Sequence, residues 1–340
     1  MSAPDRILLT RLKYIGDVVL TTPVIHAVRE RFPQAYIAYL AEADAAALLQ
    51  KNPHLDEIFA YDFSRSSLIE QLRVMRVLRR QKFDVVVDLF SNPRSALLTF
   101  ASGAPTRIGK EARIRGSLYT HRVKDDGRPK SAVDFHYQFV QPLGVAPSHH
   151  RTEIFLDEEE KKRARTFLES KGIDPGKPVV GLHPGATWPA KMWPWRRFSE
   201  LAGAIRRDLM AQVVITQGPR DGEVVSQVAS SARGSVVVLP IMSLRELAAV
   251  LSQLHVYCAN DNGTMHIAVA VETKTVGIFG PGEENIWFPY DPGDGHIAMR
   301  MDVPCHPCHL DFCNRTGDGF MECMNLLTVE DVLLEIAKRV

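Results

Sequence analysis

The sequence predicts an α/β protein made of two open parallel sheets, one in each half of its 340 residues. Three observations predict it. Short apolar runs alternate with helical-period segments along the chain, which is the pattern of parallel strands joined by crossover helices. The alternation restarts after the charged stretch DEEEKKRARTFLESKG. At roughly 150 residues per domain, the length also suggests two domains.

The elements follow in order. Arg6 to Leu12 holds the apolar run Ile7, Leu8, Leu9 and predicts a buried strand. The loop KYIGD follows, then a helix over VVLTTPVIHAVRERF with Val18, Val19, Val24, Ile25 and Val28 on one face. Pro23 sits near its first turn, where a missing N–H is tolerated. AYIAYLA predicts a strand, Ala43 to Lys51 a helix, and Asp56 to Tyr61 a short strand. Leu68 to Gln81 predicts a basic amphipathic helix, and the apolar DVVVDLF, Asp84 to Phe90, a strand. In the second half, strands are predicted at Pro178–His183, Gln212–Thr216, Val236–Leu239, His255–Ala259 and Thr275–Phe279. Helices are predicted at Trp195–Arg207, up to Ala232, at Leu244–Leu254, and after the loop at Asn260. The domains are drawn at residues 1–165 and 166–340, with a hinge near 150–175. The C-terminal helix is expected to return to the N-terminal domain.

Composition narrows the function classes. Hydrophobic residues at 45% and charged residues at 24% are those of an ordinary globular chain, which excludes a disordered or collagen-like one. A net charge of +1 excludes a generic nucleic-acid binder, which needs excess base to displace counterions. No apolar run reaches about 18 residues, so no bilayer-spanning helix is expected. The first residues, MSAPDRILLTRLKYIGD, do not read as a signal peptide.

In open α/β sheets ligands bind where loops leave the carboxyl ends of strands. NDNGTMH, Asn260 to His266, is such a loop leading into a helix, where unpaired N–H groups and the helix dipole favour an anion. The same residues also read as an ordinary helix cap by Asp261 or Asn262. HPGATWPAKMWP presents Lys191 between prolines, a point charge suited to a diphosphate or else a solvated loop lysine. GIFGPGEEN leaves a strand through glycines that allow close approach, or make a plain turn. In KYIGD, Asp17 stands at a helix start, either as a cap or as a general base. Arg11 and Lys13 beside it are expected to lower its pKa. Arg94, Arg107, Lys110, Arg113, Arg115 and Arg122 read either as a solvated face or as the site of an acidic or membrane-surface acceptor. Cys305, Cys308, Cys313 and Cys323 crowd into 19 residues as C-x2-C-x4-C-x9-C. The opening pair is half a zinc-like pattern and the second is not, so thiols holding a loop are preferred to a structural zinc site. Nothing nearby makes them a nucleophile.

Taken in order, RLKYIGDVVLTTP, R-I-G at 107–109, HPGATWPAKMWP, NDNGTMHIAVA, G-I-F-G-P and the cysteine-rich tail resemble glycosyltransferase family 9, the lipopolysaccharide heptosyltransferases. The resemblance runs over nearly the whole chain and points to heptosyltransferase-II-like members. It implies the GT-B architecture, two facing Rossmann-like domains around a cleft. The N-terminal domain would take the acceptor and the C-terminal domain the nucleotide sugar. It implies inverting, metal-independent transfer of heptose from ADP-L-glycero-D-manno-heptose to the lipid-linked lipopolysaccharide inner core. By the same resemblance Asp17 is the general base. Thr187, Lys191, Asp261, Asn262, Gly263, Thr264 and His266 bind the donor. Met242 meets adenine, and Glu223 or Asp221 the ribose. Lys13, Arg94, Arg107 and Arg113 are the acceptor-side candidates. No cofactor is required and no nucleic-acid partner is implied. The expected place is the cytoplasm, peripheral at the inner face of the inner membrane, with Leu68 to Lys82 a candidate contact for headgroups. One departure stands out. The family often has Thr or Ser after the Asp, where this chain has Asn262. It keeps open another nucleotide sugar with another glycan acceptor, or a non-catalytic sugar-nucleotide-binding protein.

Overall fold

The computed structural model describes residues 3–62, 68–232 and 234–340. The chain divides into two compact units, Met1–Phe155 and Leu156–Val340. The division falls ten residues before the boundary read from sequence, and the reason is local. The charged stretch forms a helix, Glu158–Ser170, whose buried Glu160, Ala164 and Leu168 belong to the second unit. A boundary at 165/166 would cut that helix in half.

The first unit runs β1 (Arg6–Thr10), α1 (Ile15–Val19), α2 (Thr22–Arg31), β2 (Tyr36–Glu42), α3 (Ala43–Leu48) and β3 (Glu57–Tyr61). It continues through α4 (Leu68–Arg80), β4 (Val85–Asp88), α5 (Pro93–Ala101), β5 (Thr106–Lys110), β6 (His121–Val123) and α6 (Ala132–Tyr137). Its six strands lie in the order β3-β2-β1-β4-β5-β6, all parallel. The central strands β1 and β4 are buried almost throughout, because helices cover both faces of a parallel sheet.

The second unit runs α7 (Glu158–Ser170), β7 (Val179–His183), α8 (Trp195–Asp208), β8 (Gln212–Ile215), α9 (Gly222–Ser231), β9 (Val237–Val238) and α10 (Leu244–Leu251). Then come β10 (Val256–Asn260), α11 (Gly263–Ala270), β11 (Lys274–Ile278), α12 (Glu284–Trp287), β12 (Ile297–Met299), α13 (Glu322–Asn325) and α14 (Val329–Ala337). The order is β12-β11-β10-β7-β8-β9, again parallel. Both sheets therefore repeat the doubly wound 3-2-1-4-5-6 order, and each has its switch point between its first and fourth strands.

Caps start several helices where the sequence supplies them. Asn92 and Ser95 form a capping box at α5, Asp157 and Glu160 at α7, and Ser243 and Glu246 at α10. KYIGD is not all loop, since its last residues open α1. The expected helix over 18–32 breaks at Leu20–Thr21 and restarts as α2 with Pro23 in its first turn. The C-terminal helix α14 is anchored in the second unit. Val332 and Ile336 join the second unit's own core, beside Phe198 and Ile278.

Candidate active site

In the first unit the chain leaves β1 through Arg11 and enters α1, which carries Asp17 in its first turn. Arg11 spans the switch point. Its guanidinium donates to the carboxylate of Asp17 and to the Leu89 carbonyl beyond β4, and lies 4.3 Å from the Phe90 ring centroid. Burial pushes the Asp17 carboxyl above its ordinary value, against the lowering by Arg11 and by local hydrogen bonds. The lowering expected from sequence is thus reversed: desolvation of the charged form wins. Lys13 pairs with Glu42 at 3.1 Å. The carboxyl end of β4 supplies a second acid that sequence reading passed over, Asp88. It is fully buried and accepts bonds from Ser91 N–H at 2.7 Å, Phe90 N–H at 3.0 Å and the Tyr119 hydroxyl at 2.7 Å. Gly109 makes room for this, because a Cβ there would lie 2.3 Å from the Tyr119 ring.

Of the acceptor-side candidates, Arg107 is committed within its own unit. Its guanidinium donates to the carbonyls of Leu118 at 2.9 Å and Ala104 at 2.5 Å. It therefore anchors the 115–118 turn instead of standing free for a ligand. Arg94 and Arg113 are exposed, on α5 and just after β5.

In the second unit the corresponding switch point joins the loops after β7 and β10. Lys191 meets Asp261 at 2.6 Å, with side chains 18% and 7% exposed, so the pair is largely shielded from water. The Lys191 ammonium also lies 4.6 Å from the Trp188 ring centroid. Neutral bonds stitch the same loops together. Asn260 accepts from Trp193 N–H at 3.0 Å and donates to the Pro184 carbonyl at 2.8 Å. Asn262 donates to the Gly185 carbonyl at 2.9 Å.

The capping role weighed for this loop is realised by Asn262. Its Oδ1 accepts from the N–H of Thr264 at 2.9 Å and of Met265 at 3.3 Å, and from the Thr264 hydroxyl at 2.7 Å. Gly263 begins α11. His266, two residues beyond Thr264, is buried and bonds the Tyr290 hydroxyl at 2.7 Å. Burial, and then the charge of Lys191, lower its pKa to about 3, so it is a neutral ring at physiological pH.

A relay backs the loop from below. The Tyr257 hydroxyl donates to Thr264 at 3.0 Å and pairs with Thr216 at 2.7 Å, and Thr216 pairs with His183 at 2.9 Å. His183 faces Asp221 at 3.3 Å, and this contact holds the Asp221 carboxyl below its usual range. Gly185 is required here, since a Cβ would fall 2.3 Å from that carboxylate. Asp221 is therefore a packed residue, whereas Glu223 stands exposed in the first turn of α9. The hydroxyl of Thr187 accepts from Arg220 at 3.5 Å. Met242 lines a cavity of about 310 Å³ between α7 and α10, with Phe167, Ile241 and the Arg245–Glu160 ion pair (2.7 Å) on its walls. His183, Thr216 and Tyr257 were legible only as strand-end polar residues in apolar runs.

The four clustered cysteines are all free thiols. Burial, and then the proximity of Cys305, Cys308 and Cys313, push the Cys323 thiol up to about 11.

Two doubly wound α/β units, each with a charged pair at its switch point, are the architecture of the GT-B class. Residues 71–315 match glycosyltransferase family 9 (heptosyltransferase), and the chain belongs to that family. It is 26% identical to Lipopolysaccharide heptosyltransferase 3 of Escherichia coli over 292 residues, covering 82% of this chain and 84% of that one. It is 24% identical to Lipopolysaccharide heptosyltransferase 2 of Salmonella typhimurium, covering 97% of each. Among solved structures, the family 9 glycosyltransferase of Veillonella parvula superposes with a TM-score of 0.86 at 24% identity, over 99% of this chain and 98% of that one. Escherichia coli heptosyltransferase II gives 0.78 at 21%, over 98% of each. The chain is thus a glycosyltransferase enzyme.

Proposed function

We propose that this enzyme transfers heptose from ADP-L-glycero-D-manno-heptose to the lipopolysaccharide inner core, with inversion and with Asp17 as general base. The observation that carries the reading is the state of Asp17. Its carboxylate is mostly buried at a helix start, its pKa is raised by desolvation, and one guanidinium holds it. Such a carboxylate is a stronger proton acceptor than an ordinary surface one. The relatives named as lipopolysaccharide heptosyltransferases supply the substrate class.

In this reading Asp17 accepts the acceptor hydroxyl proton as that oxygen attacks the anomeric carbon. The bond to the diphosphate breaks on the opposite face, which inverts the centre and releases ADP. Lys191 exchanges Asp261 for the diphosphate and balances the charge that develops on the leaving group. Thr187, Thr264 and Gly263 line the same loops, Met242 meets the base, and Glu223 the ribose. His266, being neutral, adds no charge. No metal is required for any step.

The enzyme would work at the cytoplasmic face of the inner membrane. Among the described residues no helix is long and apolar enough to cross a membrane. On α4, however, Ile69, Leu72, Arg73, Arg76 and Arg80 follow helical spacing and are all exposed. This is an apolar and basic face suited to anionic headgroups.

The test is ADP release from ADP-heptose with a truncated core acceptor. Wild type should turn over, and Asp17→Ala should bind donor but not turn over. Absence of release with every core acceptor would refute the reading. Asn262 favours a second reading, a family 9 transferase with another nucleotide sugar. Stronger thermal stabilisation by a UDP- or GDP-sugar than by ADP-heptose would select it.

A further inference from the structure

A group of side chains in the first unit takes no part in the chemistry above. Three imidazoles stack face to face: His26 on α2, His54 in the loop before β3, and His149 near the end of the unit. The His26 ring centroid lies 4.0 Å from that of His54 and 3.9 Å from that of His149, with interplanar angles of 22° and 17°. Two carboxylates flank the stack. His26 Nδ1 is hydrogen-bonded to Glu153 at 3.3 Å. On the other edge, His26 Nε2 and His149 Nε2 lie 3.8 Å and 2.8 Å from the same oxygen of Glu30.

We propose that His26, His149 and Glu30 form a binding site for a divalent transition cation of the zinc type. Four observations carry this. First, His26 and Glu30 are four apart on one helix, so they share a face. Second, the three ligand atoms lie within 4.8 Å of one another. Zinc bonds of about 2.0–2.1 Å place tetrahedral ligand atoms about 3.3 Å apart, midway between the 2.8 and 3.8 Å found here. Third, Glu153 engages Nδ1 of His26, so the tautomer with its proton there leaves Nε2, on the Glu30 side, as the free donor; the stacked rings of His26 and His149 then splay for both lone pairs to reach one ion. The Glu153–His26 pair is then the carboxylate–histidine–metal arrangement of known metal sites. Ser148 Oγ holds the other oxygen of Glu30 at 3.2 Å. Fourth, His149 Nε2 is buried and lies 2.8 Å from the Glu30 carboxylate, so the two donors already meet on one side of the stack. The half-exposed edge at Glu30 admits water as the remaining ligand.

Such an ion would tie α2 to the segment that closes the unit. Glu153, which also faces His54 at 3.8 Å, would support it from behind the ligands. Among the described residues, the groupings close enough for one ion are this one and the overlapping set His26, His54 and Glu153.

The experiment titrates the full chain with zinc(II) and cobalt(II). Zinc should bind and raise the melting temperature. Part of the bound cobalt should give visible bands without sulfur-to-metal charge transfer, which separates this site from the cysteines. Glu30→Gln and His149→Gln should each weaken that binding at least tenfold, and Glu153→Gln about 10–100-fold as a supporting residue. Wild-type affinity for the sulfur-free cobalt in both ligand variants, or cobalt bound through sulfur alone, would each overturn the proposal.

Discussion

The two sheets have the same strand order, yet their switch points are wired differently. In both, a cation that follows the first strand reaches across to the loop after the fourth. In the first unit it is Arg11, bound to a carbonyl, an aromatic face and Asp17. In the second it is Lys191, with Asp261 and the Trp188 ring as partners. A guanidinium with several donors and a permanent charge serves as a fixed strut. A lysine is a flexible point charge that can trade one anion for another. The acids differ to match. Asp17 is kept near the strut with its proton affinity raised, while Asp88 across the switch point is locked by Tyr119. Asp261 is paired with that exchangeable charge. In the proposed reaction one scaffold would yield a base in one unit and an anion seat in the other.

The sharpest way to break this contrast is Asp17→Asn. Loss of a general base should lower turnover about 10²–10⁴-fold with donor affinity unchanged, read as ADP release against calorimetric ADP binding. The pH dependence has a definite sign. The folded-state pKa of Asp17 is raised, so activity should fall as pH drops through a value above the ordinary carboxylate range. Stability runs the other way. A raised carboxyl stabilises the folded state below its unfolded pKa, and that contribution is lost as pH rises through the folded pKa. Urea midpoints should therefore favour Asp17→Asn over wild type more at pH 7 than at pH 4. A difference of the opposite sign would show that Arg11, and not burial, governs the site.

Lys191→Ala comes next. It removes the exchangeable cation and leaves Asp261 buried, so ADP affinity should fall about 10–100-fold, and stability should drop by up to about 3–5 kcal/mol. Adding Asp261→Asn should restore stability but not affinity. If affinity also returned, Lys191 would be a strut like Arg11.

Tyr119→Phe should cost about 1–3 kcal/mol in urea unfolding by stripping a bond from buried Asp88, with ADP binding unaffected. The smallest effect belongs to Asn262→Thr. It removes a cap whose two backbone donors a threonine can partly serve, so about 1 kcal/mol or less is expected in stability. A change of preferred nucleotide sugar in the same variant would identify position 262 as a donor selector.

Most of the architecture is legible because apolar runs such as VVGLH and DVVVDLF must be buried on both faces. What escaped had weak periodicity for physical reasons. The helix Glu158–Ser170 buries only a narrow stripe and pairs its Glu160 with Arg245, so its sequence reads as charge. The short strands His121–Val123 and Ile297–Met299 lie at sheet edges and need little apolar surface. At the site, Lys191, Asp261 and Asn262 were visible because loops after strands carry function. The roles of Asp88, Tyr119 and Asp221 were not, since each depends on a partner many residues away that no local pattern reveals. The balance at Asp17 escapes the sequence for a related reason: adjacent charges are visible in a sequence, and desolvation is not.

Trp193 carries a practical consequence. It is fully buried two residues from Lys191, with its backbone N–H on Asn260 and its indole N–H on the Leu327 carbonyl at 3.1 Å. Its emission therefore reports from inside the loop that carries Lys191. Replacing Trp188, Trp195 and Trp287 by phenylalanine would leave one native tryptophan, and the proposed donor binding could be followed in stopped flow without a label.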